Sequence, residues 1–177
     1  FTPLPGEVTT ALRQTSLFLG ETELTEDAQR EMFKAMRLPD GQGLRELLGA
    51  ERFAALLAAA RQAGLPVSAG YLDGLRPWAA AMVLSQPRES SGPPLDLLLC
   101  EAARAQGCHL RGLETAAEQA AVFDDLDHEL QLSLVDAAIV ESTTGHRQYQ
   151  RLIAAYLDQN LPALASEISE TGLSEPD

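Results

Sequence analysis

At 177 residues the chain is about one domain's worth, enough to bury roughly two-thirds of its unfolded surface without a metal or disulfide staple. Its 26 acidic and 13 basic side chains leave a formal net charge of -13, which makes nucleic acid and anionic membrane surfaces poor partners, because both need clustered Lys and Arg. Apolar residues make up 45% but aromatic ones only 5%, so Ala and Leu dominate and favour helices, and no apolar run is long enough to span a bilayer.

The chain starts at Phe1 rather than Met, with no visible signal peptide, and reads as a processed or truncated piece of something longer. Phe1 to Glu7 is a Pro- and Gly-rich lead-in, and Val8 to Gln14 suits a short helix. Ser16 to Gly20 is a compact apolar run, expected as a buried strand, and it ends in Glu21-Thr22-Glu23. Thr25 then opens a polar helix with Asp27 in its first turn. Leu44, Leu47 and Leu48 space out a short helix that stops at Gly49. Glu51 to Ala63 places Phe53, Leu56, Leu57 and Ala60 on one face and ends at Gly64. Pro77 suits the first turn of the next helix, whose expected apolar face is Trp78, Met82 and Val83.

Gln86 to Pro94 reads as a loop open to nicking. Pro94 to Gln106 is expected as a helix with Leu95, Leu98, Leu99 and Ala102 inward, closed by Gly107. Cys108 to Leu113 is short enough for a second buried strand. Glu114 stands at its end, Thr115 can cap the helix that follows, and Glu118 takes the reciprocal place of a capping box. The acidic run Asp124-Asp125-Leu126-Asp127 caps a further helix carrying Leu130, Leu134 and Ala138. Thr143-Thr144-Gly145 reads as a break. A last helix then carries the stripe Tyr149, Leu152, Ile153, Tyr156, Leu157 and Leu161, followed by an acidic tail over 166–177 that should fray. The whole is expected as one α-rich α/β domain over 1–177, a bundle-like helical insertion packed on two or three short strands. Two such strands do not make a self-sufficient sheet, so they pair with each other between helices or are completed by strands elsewhere.

Several chemistries are missing. There is no Gly-rich phosphate loop and no G-x-S-x-G elbow. The 2 cysteines, Cys100 and Cys108, form no CxxC; two buried free thiols are expected, although a helix-to-strand disulfide is sterically open. His109, His128 and His146 lack metal-ligand spacing, and His109 suits a core or interface position. The better candidates are Glu21 and Glu114, each following a short apolar run. On parallel neighbouring strands both reach the same edge of the sheet, where two carboxylates raise one pKa or call for a cation. Arg76 can supply that cation. The bland alternative is an Arg76–Glu114 ion pair that merely holds helix to strand.

Leu75-Arg76-Pro77-Trp78, Pro94-Leu95-Asp96, Gly112-Leu113-Glu114-Thr115 with Glu118-Gln119, and Phe123-Asp124 together resemble the TraB/GumN family, which is related to the TIKI metalloproteases and more distantly to erythromycin esterases. Order and spacing agree over roughly Leu17 to Leu164. Leu19-Gly20-Glu21-Thr22-Glu23-Leu24 is similar to the family's early strand. Tyr156-Leu157-Asp158-Gln159-Asn160 is similar to its late helix, with Gln and Asn where a Gly-Asp pair is common.

The resemblance implies a parallel-stranded core and a metal-dependent, peptidase-like hydrolase. Glu21, Arg76 and Glu114 would be the catalytic residues, with Arg76 orienting a carboxylate or stabilising an oxyanion. The family's two G-x-x-H motifs are absent from these 177 residues, and on the family's pattern they would flank the chain on either side. The chain is therefore expected to hold no metal by itself, a divalent metal belonging to the full-length protein. It is expected to be inactive alone, to come from an exported (secreted or periplasmic) bacterial protein, and to meet a peptide substrate. A non-catalytic helical binding module is the other reading. Either way, open sheet edges and apolar faces predict a homo-oligomer, built by exchange of a terminal helix.

Overall fold

The computed structural model describes residues 4–86 and 92–169, apart from the side chains of 144–148 and 169. Most of the expected Gln86–Pro94 loop and residues 170–177 of the acidic tail lie outside that range. In chain order, α1 (Gly6–Arg13) leads to β1 (Leu17–Thr22), α2 (Glu26–Ala35), α3 (Leu44–Leu48), α4 (Ala50–Gln62), α5 (Ala69–Asp73), α6 (Pro77–Leu84), α7 (Leu95–Ala105), β2 (His109–Glu114), α8 (Ala116–Asp124), α9 (His128–Leu157) and α10 (Leu161–Ser169). The fold is α-rich α/β. Local chemistry sets most boundaries. The Thr25 hydroxyl accepts from the Ala28 N–H at 3.1 Å to start α2. Gly49, at φ 77°, turns the chain between α3 and α4 in a conformation that a side chain would strain.

The core is built around α6. Pro77, Trp78, Ala79, Ala80, Ala81, Val83 and Leu84 are all buried, so this helix meets solvent only through Met82, the one member of the expected trio that points out. Such all-round burial follows from an apolar sequence without a single charge. Val135 and Ala138 of α9 and Phe53 and Leu56 of α4 close around it. Each fully buried Leu or Phe here contributes roughly 1.5–3 kcal/mol relative to exposure.

β1 and β2 pair in parallel, Leu17 opposite His109 and Thr22 opposite Glu114. Parallel neighbours need a crossover, and α2 to α7 supply it. The inner face, which carries Phe18, Thr22, Leu110 and Glu114, is half-buried, and α7 packs on the sheet through Cys100 and Ala103. The outer face is open. Leu17 is 46% exposed, Leu19 51% and Leu113 73%, and His109 stands beside them rather than in the core. The strands are thus not buried as expected: two strands covered on one side leave every second residue in water. Gly112 is required by close approach. A Cβ there would lie 2.6 Å from the Glu23 backbone nitrogen and 2.9 Å from the Glu114 carbonyl oxygen.

Further expectations are corrected in the C-terminal third. α9 runs through Thr143-Thr144-Gly145 without a break, since one mid-helix Gly costs only about 1 kcal/mol against Ala. Its buried side is Val135 and Ala138, whereas Leu130 and Leu134 are exposed, because α9 turns toward α6 the face one residue further on. The stripe of Tyr149, Tyr156, Leu157 and Leu161 is also largely exposed, because α10 covers only part of this hairpin. α10 itself reaches Ser169, past the expected start of the tail, and Arg151 Nε donates to Glu167 at 2.7 Å across the hairpin. Gln159 takes φ 53°, a left-handed conformation that Gly adopts at no steric cost. Cys100 is buried and Cys108 half-buried; both are free thiols.

Candidate functional site

Glu114 is the last residue of β2, and Thr115 starts α8. The Thr115 hydroxyl accepts from the Glu118 N–H at 3.1 Å, while Glu118 Oε2 accepts from the Thr115 N–H at 2.7 Å and from its hydroxyl at 2.8 Å. This is the reciprocal capping box read from the sequence. The backbone N–H of Thr115, and then its hydroxyl, hold the Glu118 carboxyl below its ordinary pKa. The strand end and helix start that present Glu114 are therefore firmly tied together.

Glu21 and Glu114 reach the same end of the sheet but not the same face. Glu114 shares the half-buried inner face with Thr22, its partner in the ladder; Glu21, one residue back, is exposed on the outer face. Arg76 does not pair with Glu114. Its Nη1 lies 3.3 Å from Asp124 Oδ1, the same oxygen that accepts from Trp78 Nε1 at 2.7 Å. The cause is the stacking of Trp78 on Phe123, with ring centroids 5.2 Å apart, which brings the C-terminal end of α8 to the start of α6. Thr115 and Glu114 sit at the other end of that 9-residue helix, roughly 13 Å away along its axis. Among the described residues the Arg76 Nε–H is buried without an acceptor, and no cation pairs with Glu114.

Two cavities meet at Glu114. One, of about 290 Å³, lies over the carboxyl ends of the strands between the starts of α2 and α8; Glu23, Asp27, Glu31 and Glu118 contribute to its wall. The other, of about 330 Å³, lies between α2, α6 and α8 and is lined by Met32, Trp78, Met82, Val122 and Phe123, with Glu114 its one charged residue. Neither Glu21 nor Arg76 lines either cavity. Sequence reading missed the apolar pocket. The available signal was that the chain's single Trp stands in a wholly apolar helix while Phe123 sits in a helix of small residues.

These residues do not fit a metal ion unaided. Among the described residues no three His, Cys, Asp or Glu groups stand close enough to share one, and the two candidate carboxylates face opposite sides of the sheet. Nor, among the described residues, is any helix long and apolar enough to cross a membrane.

The strand ending in Glu114 at the capped helix and the Trp78–Asp124 bond bring together segments that resemble the TraB/GumN pattern. A profile of the TraB/PrgY/gumN family matches residues 1–176. The chain belongs to the TraB/PrgY/gumN family. No curated protein and no solved structure matches it. For this family member the GLET and LRPW segments now have structural work: the first ends β2 and caps α8, and the second starts α6 and docks it on α8.

Proposed function

We propose that the chain shapes the substrate cleft of a TraB/PrgY/gumN-family hydrolase of peptidase type, whose turnover depends on the two G-x-x-H motifs that these 177 residues lack. The observation that supports this reading is the position of Glu114, at the carboxyl end of a parallel strand, facing a cleft and without a cation. Ligands bind open parallel sheets at that end. Glu114 would hold a substrate or orient a reacting group, and a divalent metal would be bound by histidines of the full-length protein. Glu21, on the outer face, would act only if further chain folded over that side; Arg76 would act through Asp124 and Trp78. An exported protein is the expected source.

The test compares hydrolysis of a mixed peptide library by the 177-residue chain and by the full-length protein, each with and without added zinc, manganese or cobalt. Turnover only by the full-length protein, lost with chelator, is expected. Metal-dependent turnover by the 177 residues alone would sink the proposal.

A second reading rests on Leu17, Leu19 and Leu113, three exposed apolar side chains on the outer face of the sheet. On that reading the chain is a non-catalytic module that self-associates through this face. Light scattering should then give a dimer mass, and a monomer at high concentration removes it.

A further inference from the structure

Resting on the peptidase-type reading, we infer that the cavity between α2, α6 and α8 and the cleft beside it take an extended peptide segment in which an apolar side chain stands two residues from a Lys or Arg.

The first half of the inference comes from the pocket. At about 330 Å³, walled by Met32, Trp78, Met82, Val122 and Phe123, it suits a single aliphatic or aromatic side chain. Both Met side chains are unbranched and adapt to more than one occupant. The second half comes from charge. The adjoining cleft shares Glu114 with the pocket. Two of its other acids are already occupied, Asp27 by Arg30 and Glu118 by Thr115. Glu23, Glu31 and Glu114 have no ion-pair partner among the described residues. Three unmatched carboxylates on a chain of net charge -13 repel an acidic ligand and attract a basic one. A metal ion is the poorer occupant, because no three-ligand group is assembled among the described residues. In an extended peptide alternate side chains face one side and successive residues advance roughly 3.5 Å, so side chains two residues apart can enter two cavities that touch at one residue.

Trp78 is the chain's single tryptophan and lines the pocket, so its fluorescence reports occupancy directly. The experiment titrates acetyl-Gly-Leu-Gly-Lys-Gly-amide and acetyl-Gly-Leu-Gly-Glu-Gly-amide into the 177-residue chain and reads Trp78 emission. The Lys peptide should bind at least about tenfold more tightly, a preference of about 1.4 kcal/mol. Glu114→Gln should erase most of that preference. So should Val122→Arg, at an exposed position of the pocket rim where folding is not at risk, because it supplies the cation internally. Equal binding of the two peptides, or no change in Trp78 emission with either, overturns the inference. The titration needs no turnover. A preference for the Lys peptide without hydrolysis by the full-length protein removes only the hydrolase reading, and hydrolysis without that preference removes only this one.

Discussion

The helix α6 and the two-stranded sheet are built from short segments, yet they end up in opposite situations. α6 packs on α9 within a core that α4 shares, and Trp78 is 1% exposed. The sheet is covered on one side, and Leu113 keeps 73% of its surface in water. Composition and neighbours separate the two together: α6 carries no charge, whereas the strands carry Glu21, His109, Arg111 and Glu114 and meet a single helix layer. A strand pair has one face per helix layer, and the described chain supplies one layer. Stability therefore resides in the helical core, while the carboxylates and cavities stand where the sheet meets the starts of α2 and α8.

The sharpest way to break this division is Trp78→Ala. Loss of a buried indole, its stacking on Phe123 and its bond to Asp124 should cost about 3–5 kcal/mol in urea unfolding. Gly112→Ala attacks the sheet instead. A methyl group 2.6 Å from the Glu23 nitrogen must push the strands apart, at a cost of about 1–3 kcal/mol, with the cleft disturbed more than the melting temperature. Thr115→Ala removes the α8 cap and should cost about 1 kcal/mol. The same cap has a pH signature. The folded-state pKa of Glu118 is lowered, so its contribution is complete above the unfolded value of about 4.3 and fades as pH falls through the folded one. Stability measured from pH 6 to 3 should show a slope that Glu118→Gln flattens. Gln159→Gly relieves a left-handed side-chain residue and should stabilise by about 1 kcal/mol, seen as a raised melting temperature. Leu19→Ala, on the open face, should fall within about 0.5 kcal/mol of the parent, and a loss like that of Trp78→Ala would show that the outer face is covered after all.

What could be read from the sequence was local. The caps at Thr25 and Thr115, the turns at Gly49, Gly64 and Gly107 and the run of strands and helices follow from side chains acting on their own backbone. What could not be read was which side of an element meets which neighbour. Leu130 and Leu134 have helical spacing as good as that of Val135 and Ala138, and only the position of α6 decides between them. Charge and order in the chain offer Glu114 as a partner for Arg76. The pairing with Asp124 depends on an aromatic stack between α6 and α8 that no spacing rule contains. Glu21 and Glu114 were brought to one edge correctly by the parallel pairing; their separation onto two faces is a matter of one residue in register.

Gly112 has a consequence for how this cleft can be retuned. A Cβ at that point would meet the backbone of Thr22 and Glu23 and the Glu114 carbonyl, so the floor between the strand ends has no room for a side chain, and any residue but Gly at 112 must displace it. Selectivity is thereby confined to the surrounding walls. Glu23 and Glu31 can be exchanged to reset charge, and Met82 and Val122 to reset shape, each from an exposed position. A library over those four residues, with Gly112 held fixed, would sample a family of ligand preferences on one unchanging floor.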